Sequence, residues 1–69
     1  MEKLNDIQKF TIFCLENYKI KNKISGNEVL NLFTLHRIFE YLEDGYEILH
    51  TQSMDYVVQE IEEFIKQRK

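Results

Sequence analysis

Sixty-nine residues carrying a net charge of −3 make one domain at most, and a chain this short buries only about 60% of its unfolded surface. Apolar residues are 43% of the chain, with five Phe and four Tyr, which excludes a disordered polymer; no apolar run approaches the roughly 18 residues of a membrane span. A lone Cys14 excludes an intrachain disulfide, and Cys14, His36 and His50 follow none of the usual zinc spacings.

The first helix is expected from about Asn5 to Lys21, capped by Asn5 or Asp6. Ile7, Phe10, Cys14 and Tyr18 recur on one face, but Ile12, Phe13 and Leu15 fall outside that stripe. A helix apolar on every side needs cover on every side, so this one takes a central position or meets a second chain. Lys19, Lys21 and Lys23 end it with cations, which suit the negative end of the helix dipole.

Ser25 with Glu28 has the spacing of a capping box, in which each side chain satisfies the other's free backbone N–H. It opens a second helix over about Gly26 to Leu35, expected to bury Val29, Leu30, Leu32 and Phe33, with Ile24 stapled onto Val29. Phe39, Leu42, Tyr46 and Leu49 keep one face through the next stretch. Gly45 costs about 1 kcal/mol inside a helix, and Asp44 with Glu47 has the spacing of another capping box. Two short helices, 37–43 and 45–50, follow from this.

Ser53 caps the last helix, about Met54 to Gln67. Met54, Val57, Val58, Ile61, Phe64 and Ile65 form its apolar stripe, and Glu62 with Lys66 makes an i,i+4 pair on the other side. No segment alternates with period two. The expectation is an all-α fold, a compact bundle of four to five helices forming a single domain over residues 1–69.

Charge is laid out unevenly. Residues 1–27 carry five Lys against Glu2, Asp6 and Glu16; residues 28–65 carry nine acids against Arg37 alone; Lys66, Arg68 and Lys69 close the chain. An acidic middle repels phosphate and disfavours nucleic acid there, although the two basic ends could serve a nucleic-acid binder. The acidic surface either keeps a small protein soluble or meets a basic partner. The polar start Met1-Glu2-Lys3-Leu4-Asn5-Asp6 does not read as a secretory signal, and one free cysteine fits a reducing cytosol, so a cytoplasmic location is expected.

Catalytic and cofactor chemistry find no constellation here. Cys14 lies in the most apolar stretch, where a thiol packs as a small apolar group. The paired acids Glu43-Asp44 and Glu62-Glu63 fall on helix positions facing water rather than converging in a dry cleft. No glycine-rich phosphate loop is present. A chain that is not an enzyme, holding no cofactor and no metal, is expected. Tyr41, Tyr46 and Tyr56 are interleaved with acids, and tyrosine is enriched at interfaces. With His50 they are the candidate partner-binding residues, the alternative being that they ring the core with hydroxyls in water. Ile12, Phe13 and Leu15 are the candidates for self-association into a homo-oligomer.

Several stretches carry a family likeness: Phe13-Cys14-Leu15-Glu16-Asn17-Tyr18, Ser25-Gly26-Asn27-Glu28-Val29, Ile38-Phe39-Glu40-Tyr41-Leu42 and Tyr46-Glu47-Ile48-Leu49-His50-Thr51-Gln52. In them the chain resembles a family of short, uncharacterised bacterial proteins. Ser53 stands where that family is expected to carry glycine. The resemblance implies a bacterial cytosolic protein encoded beside a toxin resembling ADP-ribosyltransferases. It further implies an antitoxin or an accessory subunit of that enzyme, and it transfers no functional residue. A protein-interaction module is therefore the first functional expectation, a self-associating helical domain the second, and a nucleic-acid binder using Lys19–Lys23 and Lys66–Lys69 the third.

Overall fold

The computed structural model describes residues 5–67, and among them the chain forms five helices and no strand. They are α1 (Asp6–Asn22), α2 (Gly26–Leu35), α3 (Ile38–Asp44), α4 (Tyr46–Leu49) and α5 (Met54–Gln67). The all-α bundle and both short middle helices agree with the sequence expectation. The radius of gyration is 11.6 Å, close to the roughly 11 Å of a folded chain this long.

Local signals start three of the helices. Asn5 caps α1 through a complete box: its Oδ1 accepts the Gln8 amide at 2.8 Å, and Gln8 Oε1 accepts the Asn5 amide at 3.0 Å. Ser25 and Glu28 do the same for α2. Ser53 Oγ accepts the Tyr56 amide at 3.2 Å and opens α5. The expected Asp44–Glu47 box does not form. Gly45 is both the end of α3 and the start of α4, and no side chain caps that junction.

Two of the breaks between helices are made by residues other than glycine. Lys23 (φ 54°) ends α1 and Arg37 (φ 56°) precedes α3, both in the left-handed region. Each is a non-glycine residue held at a conformation that glycine adopts with less strain. Neither glycine has positive φ. Gly26 opens into free space, whereas a Cβ on Gly45 would stand 3.0 Å from Leu49 Cδ1 and 3.2 Å from the Tyr41 carbonyl oxygen. Gly45 is needed for room. Gly26→Ala should raise stability by about 0.5–1 kcal/mol through the unfolded chain. Gly45→Ala should lower it by about 1–3 kcal/mol through overpacking. Urea midpoints at unchanged slope would read both, and equal shifts for the two variants would refute the distinction.

α1 takes the central position, packing against α2, α3 and α5. One core unites Cys14 and Tyr18 of α1, Val29 and Phe33 of α2, Ile38 and Leu42 of α3, Leu49 of α4, and Val57, Val58, Ile61 and Ile65 of α5. Edge-on rings link Tyr18 to Phe33 at 5.4 Å and Phe33 to Phe39 at 5.7 Å. Two sequence expectations fail at the surface of this core. Leu30 is half exposed, because α2 turns Val29 and Phe33 inward and is covered on that side only. Glu62 does not pair with Lys66. Its carboxylate reaches across to α1, accepting from Lys21 Nζ at 2.9 Å and Asn22 Nδ2 at 3.1 Å. A neighbouring helix supplied better donors than the next turn of its own.

A candidate interaction surface

The N-terminal half of α1 and the length of α3 leave an open groove of about 310 Å³ between them. Ile7, Gln8, Thr11 and Ile12 line one wall, and Phe39 and Glu43 the other. The polar members of the first wall are already engaged. The Thr11 hydroxyl donates to the Ile7 carbonyl at 2.8 Å, and Gln8 serves the α1 cap. Phe39 is held by its edge contact with Phe33. What the groove offers is apolar area with one carboxylate, Glu43, on its rim. Small-molecule sites need several convergent polar groups. One apolar side chain of a partner, with a cation beside it, suits this lining better.

From Glu43 on that rim an acidic run extends along α3 and into α4. Glu40, Glu43, Asp44 and Glu47 are all exposed, and none makes an ion pair among the described residues. The two ion pairs that do form engage Glu16 with Lys19 and Glu62 with Lys21.

Ring contacts sort the four candidate partner-binding residues into two groups. Tyr46 stacks on His50 with centroids 4.5 Å apart and planes 13° apart, and meets Phe10 edge-on at 5.5 Å. His50 Nδ1 lies 2.6 Å from the Tyr46 carbonyl oxygen. That oxygen only accepts, so Nδ1 carries the hydrogen. Tyr41 packs on Phe64 of α5 with centroids 4.4 Å apart. Its hydroxyl is pushed above the ordinary tyrosine range by burial, and further by Glu60 and Tyr56. Tyr41 and Tyr46 therefore fasten α3 and α4 to their neighbours, while His50 and half of Tyr56 face water.

The self-association candidates divide as well. Leu15 adjoins the buried stripe and packs against the core. Ile12 and Phe13 remain 49% and 58% exposed. Ile20, two turns on, is 70% exposed. Its spacing from Phe13 places it on the same side of α1, a signal masked in the sequence by Lys19, Lys21 and Lys23.

Cys14 is wholly buried, and burial pushes its thiol up to about 12, so no thiolate forms near neutral pH. Among the described residues no three His, Cys, Asp or Glu side chains converge as metal ligands. No helix among them is long and apolar enough to cross a membrane.

A family model described as "Protein of unknown function (DUF3791)" matches residues 9–68. The match takes in nearly all of α1 and every helix after it, so the acidic run lies within it, as does most of the groove lining. No curated protein and no solved structure matches the chain.

Proposed function

This chain belongs to the DUF3791 family, and we propose that it works as a small cytoplasmic protein-interaction module, an antitoxin-like or accessory subunit of a partner enzyme. The observation that carries the reading is the acidic run Glu40, Glu43, Asp44 and Glu47 beside the α1–α3 groove. Four exposed carboxylates without counter-ions create a local field that attracts a basic surface. The adjoining apolar groove supplies what that field lacks, an area whose burial holds the complex after encounter. The partner we propose, a neighbouring toxin-like enzyme, is the one that the sequence resemblance implies. An enzyme that binds nucleic acid does so on a basic surface, and an acidic module suits such a partner.

Co-expression with the neighbouring gene product tests the reading. Co-purification is expected, with loss of the partner's activity if the module is an antitoxin. Reversing Glu40, Glu43, Asp44 and Glu47 to Lys together should weaken the complex by at least about 100-fold and remove most of its salt dependence. Failure of the two proteins to co-purify at low salt would refute the proposal.

A second reading has one observation in its favour. The Lys21–Glu62 contact ties the basic C-terminal end of α1 to α5, whose own last turn carries Lys66. Arg68 and Lys69 lie outside the described residues. Glu16 and Glu62 neutralise Lys19 and Lys21, which weakens a nucleic-acid site at this end.

A further inference from the structure

The lining of the α1–α3 groove bears on the form its occupant takes. Both walls are helices, whose own turns pair the backbone groups behind the lining. Of the polar side chains there, the Thr11 hydroxyl donates to the Ile7 carbonyl and the Gln8 carbonyl oxygen accepts the Asn5 amide. The Gln8 amide and the Glu43 carboxylate that remain are too few to serve the N–H and C=O groups of an extended segment. Laid across Ile7, Ile12 and Phe39, such a segment would bury peptide groups without partners, and each one counts against binding. No strand lies among the described residues, so no sheet edge offers those pairs either. A helix arrives with its backbone already paired. We propose that the groove takes a short amphipathic helix of the partner protein, with basic side chains along one edge; this rests on the interaction-module reading above and gives the partner's segment its form.

Dimensions and charge set the pattern on that helix. With seven residues α3 is about 10 Å long, so its wall spans about two turns of a partner helix. Two apolar side chains at i and i+4 fill that length, facing Ile12 and Phe39. Glu43 follows Phe39 by one turn on the same side of α3. A Lys or Arg one turn beyond an apolar anchor therefore reaches the Glu43 carboxylate. Glu40 also lies one turn from Glu43, and like charges at that spacing oppose each other. Both are exposed, and neither makes an ion pair among the described residues. The fold leaves this repulsion in place, and a cation from outside relieves it, which favours a basic occupant. The basic end of α1 in a second copy fits less well, since Lys19 and Lys21 are engaged by Glu16 and Glu62.

The probe is an alanine-based peptide of about 15 residues, long enough to hold helix in water, with leucines at i and i+4 and lysines one turn beyond them. Followed by fluorescence anisotropy, it should bind the chain with a Kd of roughly 10–100 μM, in keeping with so small an interface, and more weakly as salt rises. Ile12→Asp should weaken binding at least about tenfold by placing a charge on the apolar wall. Glu43→Lys should weaken it as much by repelling the cation. Glu63→Lys changes net charge equally on α5, outside the groove, and should leave binding within about twofold. Ile12, Glu43 and Glu63 are all exposed, so unchanged urea midpoints check that each variant folds. The same peptide with a central proline cannot stay helical and should lose its binding. Equal binding of the proline peptide would overturn the inference, as would a Glu43→Lys chain that binds like the parent. So would a mass of two chains that Ile12→Asp abolishes, which would make a second copy the occupant. Co-purification of the neighbouring gene product with no peptide binding up to about 1 mM would also overturn it, while leaving the interaction-module reading intact.

Discussion

Phe33→Ala is expected to leave the chain largely unfolded at room temperature. Phe33 is the largest of the fully buried side chains, and its ring is held edge-on between Tyr18 of α1 and Phe39 of α3. Removing a buried Phe costs about 3–5 kcal/mol, the lost transfer energy plus that of the cavity left behind. A 69-residue domain has only about 3–10 kcal/mol in all. The loss should be large because the site cannot collapse readily. The ring joins three helices, and movement of any one of them opens the contacts of the other two. Phe33→Leu keeps most of the volume and should retain a cooperative transition, losing about 1–2 kcal/mol. Far-ultraviolet circular dichroism with urea titration reads both. A cooperative Phe33→Ala transition at nearly the parent's urea midpoint would mean that the core does not depend on this ring.

The features legible in the sequence are those written within one or two turns. The Ser25–Glu28 box, the Ser53 cap and the stripe Val57, Val58, Ile61 and Ile65 each need only near neighbours, and all appear where spacing puts them. What escaped depends on distant partners. Glu62 pairs with Lys21 because folding brings α5 onto α1, which no i,i+4 spacing records. Gly45 does part α3 from α4, as its place in the sequence suggests, and it also makes room for Leu49 and the Tyr41 carbonyl, four residues away on either side. Lys23 and Arg37 take left-handed conformations that their residue types disfavour, so these two turns carried no glycine to mark them. The surface candidates were half legible for the same reason. Surplus apolar residues on α1 could be counted, but whether Leu15 or Ile20 turned outward was set by which helices surround α1.

The same burial that hides Cys14 makes the fold sensitive to alkali, and the sign follows from proton binding. The thiol is pushed from 9.0 up to about 12 in the folded chain because burial penalises the thiolate. Below pH 9 both states hold the proton, and the contribution of the packed thiol is fully present. Between pH 9 and 12 the unfolded chain has lost a proton that the native chain still holds, so stability falls by about 1.4 kcal/mol per pH unit. Across that window the loss is on the order of 4 kcal/mol. Tyr18 and Tyr41 add to it with the same sign. Burial raises both above 10.0, and the Glu62 carboxylate pushes Tyr18 further, as Glu60 and Tyr56 push Tyr41. The chain should therefore unfold well before pH 12 while its secondary-structure signal stays flat up to pH 9. Cys14→Ala separates the contributions. It should cost about 1 kcal/mol at neutral pH through the missing sulfur, and its stability should then stay level between pH 9 and 10, where the thiol titrates in the unfolded parent and the tyrosines do not yet. Urea midpoints of the two proteins would converge over that unit of pH. Parallel profiles would mean that the thiol gains solvent before the core opens, and that α1 can lift from the bundle locally rather than with the whole.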